Sequence, residues 1–191
     1  RASVWTIAIT VVGEVRPSNV KLRSGAHPGD VLAATGPLGA ARAGLLGEAG
    51  GFAAFRRPEP RIAEGRFLAA SRNVTAMMDI SDGLSTDVAR LASASGCGAQ
   101  LDTIPVADAA AAIARARHEN AETFALAGGD DFELLAAIRP RAFSHLAARY
   151  AKRFGRELKK IGALRAEAGV AYKGERIERS GWDHFAASAE R

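Results

Sequence analysis

The stretch over residues 74–84, Val-Thr-Ala-Met-Met-Asp-Ile-Ser-Asp-Gly-Leu, constrains this chain more than any other. An apolar, partly β-branched run ends abruptly in Asp79, Ser81, Asp82 and Gly83, and an amphipathic segment over 84–94 follows at once. The run reads as a buried strand. The segment reads as a helix with Leu84, Val88, Leu91 and Ala92 on one face. Ser81 or Asp82 stands where an N-cap belongs. Two carboxylates thus crowd a junction where free helix N–H groups set up positive potential. Capping is the commoner use of an isolated acid in that position. Two acids at a strand end beside a glycine also suit Mg²⁺, which takes one or two carboxylates and leaves its other positions to water and phosphate oxygens. Spacing alone leaves both readings open.

The rest of the chain must pack around this junction, and composition says it can. Of 191 residues, 48% are hydrophobic and 25% charged, enough for an ordinary core and too apolar for disorder. The net charge of +5 is spread along the chain without a basic run, and the few aromatics are not interleaved with the arginines. A nucleic-acid surface is therefore not expected, whereas diffuse positive charge suits a phosphorylated small molecule. Cys97 is the only cysteine, so no intrachain disulfide forms and a reducing cytoplasm is expected. No apolar stretch approaches the length of a membrane span, and no signal peptide is visible. The chain opens on Arg1 and passes straight into a strand pattern, which reads as a fragment lacking its preceding part.

Residues 4–15 alternate, with Trp5, Ile7, Ile9 and Val11 on one side, and predict a half-buried strand that needs partners. A turn at 16–19 and a loop through Arg23-Ser24-Gly25-Ala26 and Pro28-Gly29-Asp30 lead to a short buried strand at 31–34. Arg23 is either solvated or a phosphate contact. Thr35-Gly36-Pro37-Leu38-Gly39 opens a small-residue helix over 40–48; without a P-loop lysine or a full dinucleotide fingerprint, it reads as tight packing. Residues 50–60 are the loosest part, before a helix over 61–71. A strand at 99–106 and an Ala-rich helix at 107–118 follow. His118 has no second His at ligand spacing and reads as surface.

The second unusual stretch is Gly128-Gly129-Asp130-Asp131-Phe132-Glu133. A turn into a strand at 132–138 explains it in outline, yet three carboxylates within four residues exceed what a turn needs. An amphipathic helix at 142–154 and strands at 158–164 and 170–179 complete the core. The aromatic tail at 181–185 either docks the terminus or lines a pocket for a flat ring. Strands and helices alternate irregularly without repeats, which predicts an α+β domain, a mixed β-sheet layered with α-helices.

With these residues in view, the chain resembles the C-terminal part of thiamine-monophosphate kinases, within the superfamily of aminoimidazole-ribotide (AIR) synthetase and selenophosphate synthetase. The resemblance rests on motifs in the family's order: Gly13-Glu14-Val15, Arg23-Ser24-Gly25-Ala26, Pro28-Gly29-Asp30, Thr35-Gly36, Ala43-Gly44-Leu45, Asp79-Ile80-Ser81-Asp82-Gly83-Leu84, Gly128-Gly129-Asp130-Asp131-Phe132-Glu133-Leu134 and Gly181-Trp182-Asp183-His184-Phe185. Each alone is weak; the ordered series is strong. It implies an AIR-synthase-like C-terminal domain over 20–191, with 1–19 as the last strand and linker of an N-terminal domain. It also implies phosphorylation of thiamine monophosphate by ATP, with several Mg²⁺ ions gathering the phosphates.

By position, the resemblance makes Asp79 and Asp82 Mg²⁺ ligands, and sets Arg23 and Ser81 against ATP. Asp130 and Trp182 would meet the thiamine substrate. The acceptor is a phosphate already ionised near neutral pH, so no protein base is required. A homodimer is implied for the full-length enzyme. Three departures bear on this. Asp130 stands where the family usually has Glu, Ala40 where it usually has Asp, and the N-terminal domain that carries most acidic metal ligands is absent. The chain alone is therefore expected to have little or no activity. The alternatives are another enzyme of the superfamily acting on a different acceptor, or a nonenzymatic nucleotide-binding module.

Overall fold

A computed structural model describes residues 7–178 and Ser180. In chain order the strands are β1 (Val31–Ala34), β2 (Val74–Ile80), β3 (Gly98–Leu101), β4 (Glu133–Ile138), β5 (Lys159–Arg165), β6 (Val170–Tyr172) and β7 (Glu175–Ile177). The helices are α1 (Ala40–Leu45), α2 (Phe52–Arg56), α3 (Ile62–Ala69), α4 (Leu84–Ala94), α5 (Asp108–Ala116), α6 (Ala121–Leu126) and α7 (Pro140–Phe154). One seven-stranded sheet runs in the order β2-β4-β1-β5-β3-β6-β7. All neighbours are antiparallel except β3 and β6. The mixed sheet with helices on it is the α+β layering that the sequence predicts.

Period-2 alternation places side chains on two faces of the sheet. Leu32, Met78, Ile80 and Leu135 enter a core under α4, with Leu84, Val88 and Leu91. Ala33, Ala136 and Ile138 enter a second core with Leu68 of α3 and Leu146 and Tyr150 of α7. Val74 belongs to this second core although Ala76 belongs to the first. The register shift between them explains the switch, because one extra residue turns the following side chains to the other face. A third cluster joins Ala43 of α1 to Ala110 and Ile113 of α5 and to Phe124 of α6.

Several expectations need correction. Residues 7–15 form no strand; Ile7, Ile9, Val11 and Val12 are exposed, and no strand among the described residues pairs with them. Alternation alone cannot hold a strand whose backbone groups lack a partner. Residues 50–60, expected to be loose, contain α2. The unexpected α6 starts where the Asn120 side chain accepts the Thr123 N–H at 2.9 Å. The strand at 99–106 stops at Leu101, and the one at 170–179 folds into a hairpin at Lys173-Gly174, both with positive φ.

The start of β4 is clamped by charge. Glu133 is buried; its Oε1 accepts from Arg61 Nη2 at 2.9 Å and from Arg156 Nη2 at 2.8 Å, and its Oε2 from Thr35 Oγ1 at 2.5 Å. A Cβ on Gly36 would collide with both Arg156 Nη2 and Glu133 Oε1, so the glycine after β1 serves packing, as the sequence suggests. Glu133→Ala would take the buried partner from both guanidinium groups, leaving Arg61 with Glu59 and Glu64 and Arg156 with Glu64 at 3.7 Å. We expect it to lower unfolding free energy by about 2–3 kcal/mol in urea titrations, the scale of lost hydrogen bonds to charged groups; a loss under about 1 kcal/mol would mean the clamp adds nothing beyond a surface pair.

Candidate functional site

The strand-to-helix turn after β2 is built differently from a simple cap. Gly83 occupies the N-cap position with φ 110°, in the region that favours glycine, and gives no side-chain cap. Neither Ser81 nor Asp82 caps α4. The buried Asp87 instead reaches back from the helix: its Oδ2 accepts the Ser81 N–H at 2.9 Å and the Asp82 N–H at 3.0 Å. Arg90 binds Asp87 Oδ1 at 3.0 Å and also pairs with the Asp82 carboxylate. Burial pushes the Asp87 carboxyl up, while these N–H groups and Arg90 pull it down. Sequence reading missed Asp87 and Arg90; their three-residue spacing in the first turns of α4 was the available signal.

A second loop docks on this turn. Just before β4, Phe132 N donates to Ile80 O at 2.9 Å and Asp130 N to Ser81 O at 2.7 Å, so the β2–β4 ladder runs on into the loops. A Cβ on Gly129 would stand 2.9 Å from Ser81 O, so only glycine permits this approach. Asp130 and Phe132 both hold positive φ, 62° and 50°, a strained backbone of the kind that concentrates at functional sites.

Around the docked loops lies a cavity of about 510 Å³. Ser81, Asp82 and Asp130 line it together with Arg42, Leu45 and Phe55, from α1 and α2. Ser180 lines it too, with its N–H on Ser85 Oγ at 3.1 Å. Trp182 lies outside the described residues. Arg23 and Asp79 do not reach this cavity. Both are exposed and line a separate depression with Lys21 and Ser24. The Arg23 backbone carbonyl there is held by Ser95 Oγ at 3.0 Å. The alternation of β2, which buries Met78 and Ile80, turns Asp79 outward.

The two remaining acids of the glycine–acid stretch have internal work. Glu133 holds the arginine clamp. Asp131 supplies the first turn of α1, its Oδ2 accepting the Gly39 N–H at 2.7 Å and its Oδ1 the Ala41 N–H at 3.4 Å. Burial pushes the Asp131 carboxyl up to about 7, against those N–H groups.

For a cation, the donors present are Asp79 and Asp82, and Asp82 is shared with Arg90. No group of three or more His, Cys, Asp or Glu able to hold a metal occurs among the described residues. The two carboxylates line separate recesses, Asp79 with Arg23 and Asp82 with Asp130, and are not brought together as a pair. Among the described residues no helix is long and apolar enough to cross a membrane.

This fold, with a glycine–acid loop docked on a strand-to-helix acidic turn, defines a class. Residues 27–171 match the family described as AIR synthase related protein, C-terminal domain, and the chain belongs to that family. It is similar to the thiamine-monophosphate kinase of Halobacterium salinarum, 39% identical over 189 residues, covering 95% of this chain and 62% of that one. The crystal structure of thiamine-monophosphate kinase from Stenotrophomonas maltophilia superposes with a TM-score of 0.76 at 27% identity, over 85% of this chain and 56% of that chain. A structure described as AaThiL complexed with AMPPCP and TMP gives 0.72 at 28% identity, over 85% and 53%. The chain thus spans about half to three fifths of the length of these relatives.

Asp131 makes stability depend on pH in a defined direction. Its folded-state value lies above the ordinary one, so the native state binds the proton more tightly than the unfolded chain. Its contribution is full below about pH 4 and is lost as pH rises through about 7. Relative to Asp131→Asn, the wild-type chain should lose up to roughly 4 kcal/mol over that interval. Urea unfolding at stepped pH measures it, and parallel profiles for the two proteins would refute it.

Proposed function

We propose that this chain supplies the acceptor-facing part of an ATP-dependent kinase that converts thiamine monophosphate to thiamine diphosphate. The carrying observation is the docking of residues 128–132 on residues 80–82, which gathers Ser81, Asp82 and Asp130 around one cavity. A chain 39% identical to a thiamine-monophosphate kinase, with a fold neighbour bound to AMPPCP and TMP, supports the assignment of reaction and substrates.

In this reading, Asp79 and Asp82 hold Mg²⁺ together with phosphate oxygens, and the ions neutralise phosphate charge. Arg23 faces the ATP phosphates from the depression it shares with Asp79. Ser81 offers its hydroxyl to ATP. Asp130 and Trp182 take the thiamine moiety: a carboxylate suits its cationic thiazolium, and an indole suits a flat ring. Asp130 has one methylene fewer than Glu, and its left-handed backbone and exposure set it out toward the cavity instead. We further propose a cytoplasmic enzyme, homodimeric at full length, in keeping with a single cysteine that is buried. The chain alone is proposed to be inactive, since its own residues provide only two carboxylates for the metal.

The test is thiamine diphosphate formation from ATP, Mg²⁺ and thiamine monophosphate by the full-length protein and its Asp79→Asn variant. We expect turnover in the first and a fall of at least about 100-fold in the second, the scale of losing a charged ligand to a reacting phosphate. A folded wild-type protein that binds ATP but leaves thiamine monophosphate unchanged would redirect the assignment to another acceptor. Diphosphate formation by the 191-residue chain alone would overturn the proposed inactivity.

A further inference from the structure

The 510 Å³ cavity is lined by two carboxylates, Asp82 and Asp130, and, among the described residues, by a single cation, Arg42. Arg42 is not a loosely solvated side chain. Its Nη1 donates to the Phe124 carbonyl at 2.9 Å, and its guanidinium lies 4.3 Å from the centre of the Phe124 ring, which is itself buried. One hydrogen bond and one stacked face fix the plane of the group and leave most of its five donors unused. Beside it stand Leu45 and Phe55, apolar side chains 63% and 38% exposed at the cavity mouth. A pre-oriented guanidinium, two apolar side chains and two carboxylates around one cavity form a complementary set. Together they suit a flat ring that carries positive charge at one end and a phosphate at the other.

We propose that Arg42 binds the phosphate monoester of the acceptor substrate, with Leu45 and Phe55 packing its ring portion. The inference rests on the kinase reading for the identity of the acceptor, but the phosphate site itself rests on the geometry of Arg42. Binding by the guanidinium selects a phosphorylated acceptor over the free alcohol, because a phosphate accepts two charge-assisted hydrogen bonds from its fork and a hydroxyl only a neutral one.

Calorimetric titration of the full-length protein with thiamine and with thiamine monophosphate tests it, with phenyl phosphate as a ring phosphate unrelated to thiamine. Wild type should bind the monophosphate more tightly than thiamine. Arg42→Gln should narrow that gap by about 10- to 100-fold, the value of hydrogen bonds to a charged group, and leave thiamine affinity unchanged. Arg42→Lys, which keeps the charge and loses the fork, should fall between them, and it carries the test if Arg42→Gln does not fold. A gap that survives Arg42→Gln overturns the proposal. So does a parallel loss for both ligands, which is what a merely structural brace on Phe124 would produce. Binding of phenyl phosphate but not of thiamine monophosphate, abolished by Arg42→Gln, would uphold the phosphate site and sink the thiamine reading. Failure of every ring phosphate to bind would sink the site as well.

Discussion

Two backbone hydrogen bonds, Phe132 N to Ile80 O and Asp130 N to Ser81 O, hold the candidate site together. They extend an antiparallel ladder past the ends of β2 and β4, so two loops 50 residues apart in sequence behave as one surface. The extension demands a glycine at 129 and left-handed backbone at 130 and 132. Such a conformation costs of order 1–3 kcal/mol per residue and persists only where neighbours over-determine it. The neighbours here are explicit. Asp87 and Arg90 fix the turn from below, Asp131 ties the loop to α1, and Glu133 locks the strand that follows to Arg61 and Arg156.

The three clustered carboxylates thereby divide their labour by direction. Asp130 faces the cavity, Asp131 the start of α1, and Glu133 a partly buried pair of arginines. Asp131 and Glu133 lie two residues apart at the strand start, and the Glu133 charge adds to the burial that makes Asp131 costly to ionise. Glu133 remains paired with cations, whereas Asp131 has only backbone N–H groups. The acid without a cation is the one whose protonation falls near neutral pH.

How much of this could be read from the residues depends on how local the causes are. The strand, turn and helix over 74–94 were legible, because a period of 2 switching to 3.6 across Asp-Gly is a local signal. The glycine after β1 was legible as packing, since Thr35-Gly36 lacks the residues of a phosphate loop. The α6 helix was written in Asn120 and Thr123 but was overlooked beside the larger glycine–acid motif. Residues 7–15 misled for the opposite reason, since alternation states a preference and a partner strand decides it. The roles of Asp131 and Glu133 were not legible, because their partners, Gly39, Arg61 and Arg156, lie 92, 72 and 23 residues away. Motif order, not spacing, singled out Asp130 together with Ser81 and Asp82.

The division of polar residues across the turn also follows from strand geometry. Along β2 the side chains alternate, so Asp79 leaves the sheet toward the depression that holds Arg23. After Ile80 the chain stops alternating; Asp87 draws in the Ser81 and Asp82 N–H groups, and the Asp82 side chain comes round to the cavity that holds Asp130 and Arg42. One short turn therefore presents a carboxylate to each of two recesses. The proposed kinase reading draws on both recesses, with Arg23 beside one carboxylate and Arg42 in the cavity of the other. The Arg90 contact to Asp82 has the same logic. It fixes the carboxylate and neutralises it, so a like-charged Asp79 can stand three residues away without repulsion distorting the turn.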